Sequence, residues 1–110
     1  MANIENWKTQ IRKGYLELCI LLLIRKHERI YGFDLIEKLH AADLPVKEGT
    51  LYPMLSRMAT DEILATVWDT QNVKGHPRKF YSLTPKGHRV LDEMQSEFRK
   101  ILLIFNQLQN

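Results

Sequence analysis

The stretch EGTLYPMLSRM, residues 48–58, predicts a short helix with one apolar side and one small, polar side. At about 100° per residue, the apolar side holds Leu51, Met54, Leu55 and Met58. The opposite side holds Gly49, Pro53, Ser56 and Thr60, flanked by Thr50, Tyr52 and Arg57. We expect the apolar side to pack inward, which leaves the small, polar side free to meet a partner.

Length and composition indicate one ordinary globular domain. The chain has 110 residues, of which 45% are hydrophobic and 26% are charged, and such a balance disfavours disordered, collagen-like and disulfide-rich classes. The 16 Lys and Arg against 13 Asp and Glu give a formal net charge of +3. That charge permits an anionic partner without requiring one, so the placement of the charges must decide.

The single cysteine and the apolar runs indicate a cytoplasmic protein. Cys19 has no second cysteine to pair with in the chain, so we expect it to pack as a small apolar residue in a reducing compartment. Its run LELCILLLI (16–24) contains Glu17 and is shorter than the roughly 18 residues of a membrane span. We therefore expect neither a membrane span nor a targeting segment.

Hydrophobic periodicity predicts three helices in the first part of the chain. The first runs from Ile4 to His27, with Gly14 able to bend or weaken it. The second runs from Gly32 to Ala42 after the linker HERIY (27–31). The third is the stretch 48–58, which begins near either Glu48 or Thr50, so that Pro53 falls within about one turn of its start.

A hairpin and a long helix are predicted to follow. The segments ILATVWDT (63–70) and RKFYSL (78–83) are rich in β-branched and aromatic residues, with turn residues between them. Thr84 then supplies a helix cap, and Pro85 fits the first helical position because its missing N–H is harmless there. We expect residues 1–83 to form one part of the domain and residues 84–110 to form a long terminal helix.

The terminal helix carries an apolar seam. Three- and four-residue steps separate Leu91, Met94, Phe98, Ile101, Phe105 and Leu108. This much apolar surface must dock on its own domain, on a second copy of the chain, or on both.

An enzyme finds little support in the sequence. The chain contains no Gly-rich phosphate loop, no HExxH pair, no metal-type Cys and His spacing and no obvious nucleophile beside a base. The four histidines are scattered singly. We therefore predict no catalytic residue, no metal site and no cofactor.

The segments YGFDLIEKL (31–39), EGTLYPMLSRM (48–58) and GHPRKFYSLTPKG (75–87), followed by the heptad helix, resemble the short form of the PadR family of bacterial transcriptional regulators. The resemblance covers nearly the whole chain. It implies a mainly α (α+β) fold: a winged helix-turn-helix with a two-stranded β wing and a long C-terminal dimerisation helix. It also implies a homodimeric repressor whose third helix enters the major groove of DNA while its wing reaches the flanking backbone or minor groove.

The residue types fit DNA binding. Gly49, Pro53 and Ser56 keep the outer face of the third helix thin enough to approach base edges, while Thr50, Tyr52 and Arg57 offer hydrogen bonds. Basic residues in the hairpin can neutralise phosphates or enter a narrow minor groove. The predicted DNA contacts are Lys47, Thr50, Tyr52, Ser56, Arg57, Lys74, His76, Arg78 and Lys79.

The resemblance also implies that a small planar apolar effector sits at the dimer centre, between the first and last helices. The candidates for the dimer interface and such a pocket are Trp7, Ile11, Tyr15, Leu91, Met94, Phe98, Ile101, Phe105 and Leu108. Aromatic residues at heptad spacing equally suit a plain dimer core.

The sequence therefore predicts a cytoplasmic, homodimeric repressor that binds a near-palindromic double-stranded operator. The alternative is a winged-helix module that binds proteins and not DNA. The two differ in their response to salt, because only binding to phosphates releases many counterions.

Overall fold

The computed structural model describes residues 3–70 and 78–110, and these form four helices and three strands. In chain order they are α1 (Ile4–His27), β1 (Ile30–Tyr31), α2 (Gly32–Ala41), α3 (Glu48–Thr60), β2 (Leu64–Asp69), β3 (Arg78–Leu83) and α4 (Pro85–Gln109). The predicted mainly helical, winged helix-turn-helix fold is confirmed. The first helix runs without a break through Gly14.

The sheet has one strand more than the sequence predicted. β3 lies between β2 and β1 and is antiparallel to both. In the short pair, Ile30 lies opposite Tyr81 and Tyr31 lies opposite Phe80. The prediction of a linker at 27–31 is therefore wrong for its last two residues. Two residues are too few to show the alternation of a strand in the sequence. Only their pairing with β3 in the structure identifies β1 as a strand.

The core draws on every helix. The side chains with almost no exposed surface are Ile20, Leu21, Ile24, Leu35, Leu39, Leu51, Leu55, Met58 and Leu91. Burial of Leu51, Leu55 and Met58 confirms the predicted inner side of α3. The prediction that Leu91 lines an intersubunit seam is wrong, because the second turn of α4 packs into the core of its own chain.

A close contact between the start of α4 and the turn before β2 sets the position of α4. We call this contact the tight joint. Thr84 caps the helix as predicted, because its hydroxyl accepts a hydrogen bond of 2.9 Å from the N–H of Gly87. The N–H of Thr84 also donates to the carbonyl of Ile63, 3.1 Å away, at the turn that leads into β2. A methyl group on Gly87 would lie 2.1 Å from that same carbonyl oxygen. The joint therefore depends on glycine at position 87.

Beyond this joint, α4 extends away from the rest of the chain. The molecule measures 56 × 31 × 23 Å along its principal axes. From residue 101 to the end, every residue of the chain is exposed. The part of α4 from residue 101 onward therefore gains almost no packing from its own chain.

We expect Gly87→Ala to lower the free energy of unfolding by about 2 kcal/mol or more, because the added methyl group forces the helix away from a backbone carbonyl. Gly14→Ala is the matched control. Position 14 is helical and has no other group within 4 Å of an added methyl, so this change should stabilise the protein by up to about 1 kcal/mol. Urea unfolding followed by circular dichroism, at one protein concentration, measures both. Equal stability of the two variants would contradict the tight joint.

Candidate nucleic-acid interface

The outer side of α3 is open along its length. Thr50, Pro53, Ser56 and Thr60 are all exposed, as is Gly49. Lys47 is exposed and occupies the N-cap position without capping the helix through its side chain. The face is thus small and polar, with one cation at its N-terminal end.

The helix begins at Glu48, the earlier of the two predicted starts. Pro53 is therefore the sixth residue of the helix, slightly more than the predicted one turn from its start. An N–H at this position would donate to the carbonyl of Gly49, four residues earlier, so the proline removes one intrahelical hydrogen bond. The rest of the helix, up to Thr60, continues past it.

Tyr52 connects α3 to the start of α2. Its side chain is 38% exposed, and a methyl group on Gly32 would lie 2.7 Å from its ring carbon Cε1. Burial, and then the nearby charge of Glu48, raise the pKa of its hydroxyl. Tyr52 thus packs against the backbone of α2 with one side of its ring and offers the remainder to solvent.

Arg57 is tied to its own chain in this structure. Its guanidinium donates to the carboxylate of Glu17 on α1 and lies 3.9 Å from the carboxylate of Asp61. The sequence places Arg57 on the flank of the polar face but does not reveal this ion pair, because α1 and α3 are far apart in the chain. Contact between Arg57 and DNA stays a prediction.

The wing carries cations on both faces of its sheet. The register places Lys79 opposite Trp68 on the face shared with Tyr81, and Arg78 opposite Asp69 on the other face. The ammonium of Lys79 lies 5.0 Å from the centre of the Trp68 ring. The other two predicted wing contacts, Lys74 and His76, lie outside the described residues.

A stack of rings and cations covers the outer face of the sheet. The rings of Tyr31 and Phe80 are stacked at an interplanar angle of 22°, with centres 3.9 Å apart. The guanidinium of Arg29 lies 4.3 Å from the Phe80 ring, and that of Arg78 lies 5.1 Å from the Tyr31 ring. The Tyr31 hydroxyl donates to Asp69 over 2.5 Å. This hydrogen bond is the largest cause of a raised pKa at Tyr31, followed by desolvation.

Sequence reasoning missed four residues around this interface: Arg29, Tyr31, Phe33 and Trp68. Phe33 and Trp68 are each 58% exposed. Their positions in the chain give no joint signal, because they belong to α2 and β2, which meet only through the fold. The hairpin register pairs Trp68 with Lys79, and the packing of α2 and α3 beside the wing brings Phe33 and Tyr52 to the same cavity.

The predicted seam residues divide into three groups. Trp7, Ile11, Ile101, Phe105 and Leu108 are exposed, Tyr15, Met94 and Phe98 are half-buried against the core, and Leu91 is buried within it. A cavity of about 440 Å³ opens between α1 and α4, and its lining includes Ile11, Tyr15, Met94, Phe98 and Ile101. Glu93 and Glu97 also line it, so an otherwise apolar cavity carries two acidic groups.

Two bonds from α1 fix α4 beside this cavity. One guanidinium nitrogen of Arg25 donates to the carboxylate of Asp92 over 2.9 Å, and the other donates to the amide oxygen of Gln95 over 2.8 Å. Asp92 and Gln95 lie three residues apart on one side of α4. The side chain of Arg25 therefore bridges two consecutive turns of that helix.

Metal-ligating groups and membrane-spanning helices are both absent from the described part of the chain. Its His, Cys, Asp and Glu side chains form no group of three that could hold a metal ion. None of its helices is long and apolar enough to cross a bilayer.

Comparison with known proteins agrees with this geometry. A family model described as the PadR-like family of transcriptional regulators matches residues 20–93. A PadR-like transcription factor from Bacteroides fragilis is 44% identical, with 94% of this chain and 98% of that chain covered and a TM-score of 0.79. A PadR-like regulator from Bacillus cereus is 33% identical over 92% and 97%, with a TM-score of 0.80. A PadR family regulator from Eggerthella lenta is 30% identical over 97% and 92%, with a TM-score of 0.84.

We expect the hydrogen bond between Tyr31 and Asp69 to make stability depend on alkaline pH. The pKa of Tyr31 is raised in the folded chain, so its contribution to the free energy of unfolding is fully present below the unfolded value of about 10 and is lost as the pH rises through the folded pKa. A near-ultraviolet titration of tyrosine ionisation should lose one of its steps above pH about 10 in Tyr31→Phe. The same step should move to lower pH in Asp69→Asn. An unchanged titration in Asp69→Asn would contradict this assignment.

Proposed function

Because this chain belongs to the PadR-like family of transcriptional regulators, we propose that it is a homodimeric repressor that binds a near-palindromic DNA operator. We further propose that a small, planar, apolar effector releases it and that it acts in the cytoplasm. The observation that carries the proposal is the open, small and polar face of α3 beside the cationic wing.

In this proposal α3 is the recognition helix and lies in the major groove. The small residues Gly49 and Ser56 let the helix approach base edges, and the hydroxyls of Thr50 and Ser56 supply hydrogen bonds. Lys47 binds a phosphate beside the N-terminal end of the helix, where a fixed cation also sets the register. Tyr52 contacts the DNA with the exposed part of its ring.

The wing supplies sequence-independent binding. Arg78 and Lys79 bind phosphates that flank the major-groove contact, and Lys74 and His76 are proposed to do the same from the turn between the strands. Arg57 joins them only if its guanidinium leaves Glu17, because the ion pair now occupies it.

The distal half of α4 forms the dimer together with the start of α1. Ile101 and Phe105 are more than half exposed in the single chain, and so is Trp7. A two-fold axis through these surfaces would bury them against their own copies. The same axis would set two recognition helices about 34 Å apart, the separation of successive major grooves on one side of DNA.

The effector would occupy the cavity between α1 and α4. Tyr15 and Phe98 provide flat apolar walls, and Ile11 and Ile101 extend the cavity toward the proposed dimer axis. A compound bound there lowers DNA affinity only to the extent that it prefers the dimer form that fits DNA less well. The same aromatic residues would otherwise serve as plain dimer core.

A change of one exposed serine on α3 should weaken binding to the operator. We expect Ser56→Glu to lower operator affinity by at least about tenfold, since a like charge facing the phosphates is repelled. Ser96→Glu is the matched control, because it places the same charge on an exposed serine of α4. The operator is first obtained by repeated selection from a random-sequence duplex library, and affinity is then measured by fluorescence anisotropy.

The salt dependence of the wild-type protein separates the two proposed classes. A DNA repressor loses affinity steeply as salt rises, because phosphates release their counterions on binding. Failure to select any sequence, together with no salt-dependent duplex binding, would favour the alternative module that binds proteins.

The dimer proposal predicts opposite outcomes at two exposed apolar positions of α4. Ile101 is 56% exposed on the seam, and Leu103 is 65% exposed about 200° around the helix, beside Arg99 and Asn106. We expect Ile101→Glu to give monomers or unfolded chains and no operator binding, because the dimer would bury an unpaired carboxylate. Leu103→Glu should remain a dimer that binds DNA. Sedimentation velocity measures both, and a dimeric I101E variant that binds the operator would show that the subunits meet elsewhere.

A further inference from the structure

A second cavity, of about 360 Å³, lies between the start of α2, the recognition helix α3 and the wing. Its lining is mostly aromatic and includes two cations: Tyr31, Gly32, Phe33, Tyr52, Trp68, Arg78, Lys79 and Tyr81. We call it the aromatic cavity. None of Tyr31, Phe33 or Trp68 has a role in the function proposed above.

We propose that the aromatic cavity receives one sugar–phosphate unit of the DNA backbone, with Phe33 and Trp68 packed against the deoxyribose and Lys79 bound to the phosphate. The inference rests on the proposed DNA binding and adds two apolar contacts to it. These two contacts depend on the shape of the DNA backbone and do not depend on the base sequence.

The arrangement of Trp68 and Lys79 supports an anionic occupant. The two residues lie opposite each other on β2 and β3, and the ammonium lies over the ring at 5.0 Å from its centre. Among the described residues Lys79 forms no ion pair with a carboxylate. An oriented cation beside an apolar surface matches a phosphate attached to a sugar.

The exposure of the walls favours a polymer over a small molecule. Phe33 and Trp68 each leave 58% of their surface in solvent, whereas a small-ligand site typically encloses most of its ligand. Tyr52 belongs both to this cavity and to the flank of the polar face of α3. A DNA strand that contacts Tyr52 on α3 therefore also lies at the edge of the cavity.

The ring faces meet sugars and not bases in this arrangement. The bases of a duplex are stacked on each other, so an aromatic side chain outside the grooves meets the C–H surface of deoxyribose. Such a contact is apolar and releases no counterions, whereas the contact of Lys79 with a phosphate releases about one. Aromatic and cationic substitutions must therefore differ in their effect on salt dependence.

The test uses the full chain and a fluorescent duplex of random sequence, because the proposed contacts ignore base identity. We expect Phe33→Ser and Trp68→Thr each to weaken binding by about fivefold, as the apolar area they bury is lost. The slope of log affinity against log salt should stay unchanged in both variants. Lys79→Gln should instead flatten the slope by about one unit.

Val67→Thr is the matched control. Val67 neighbours Trp68 on the same strand, is also 58% exposed, and lies on the opposite face of the sheet. Its substitution should leave both affinity and slope unchanged. Circular dichroism establishes that each variant is folded before binding is compared.

The outcomes separate this inference from the proposed function. If the wild-type chain binds no duplex, DNA binding itself fails. If it binds, but Phe33→Ser and Trp68→Thr match Val67→Thr, the aromatic cavity is not part of the interface and the inference is overturned. A flattened salt slope in the aromatic variants would overturn it as well.

A small aromatic anion is the competing occupant, and benzoate serves as its probe. The chain contains two tryptophans, so the difference in fluorescence between the wild type and Trp68→Thr gives the signal of Trp68. Duplex DNA should protect Trp68 from quenching by acrylamide, and benzoate should give no saturable change. Saturable benzoate binding at Trp68, with no protection by DNA, would assign the cavity to a small aromatic anion and overturn the inference.

Discussion

The fit of Gly87 against the carbonyl of Ile63 is the constraint on which the rest of the molecule depends. The hydrogen bonds of Thr84 hold the start of α4 against the turn before β2, and no side chain can enter the space between them. The direction in which α4 leaves the domain is thereby fixed. From Ile101 onward the helix is exposed in its own chain, and the proposed dimer would cover the apolar surface of this part.

α1 connects the two surfaces on which the proposed function relies. Arg25 bonds to α4 beside the apolar cavity, and Glu17 bonds to Arg57 on the recognition helix. Both bonds are partly exposed, and such ion pairs contribute at most about 1 kcal/mol. The buried apolar residues of α1 therefore hold the three helices together, while the ion pairs orient them. A compound that displaces α1 acts on an element already in contact with α3.

The net charge of the chain is modest, so the proposed DNA interface depends on where its cations lie. Lys79 and Arg78 are each held over an aromatic ring, which orients a flexible cation without neutralising it. In the proposed interface the wing would combine two kinds of attraction: a phosphate contact that weakens with salt and an apolar contact that does not. The apolar contact would then keep a weakly basic protein bound to DNA when salt screens the phosphate contact.

The sequence by itself determined the helices, the hairpin, the Thr84 cap and the two sides of α3, because periodicity, capping and turn chemistry act between residues close in the chain. It also placed Ser56 and Thr50 on an open face. Only the tertiary structure decided that β1 pairs with β3, that Leu91 enters the core, that Arg57 bonds to Glu17 and that Phe33 and Trp68 share a cavity. Each of these joins elements distant in sequence, and such distances are set only when the whole core packs.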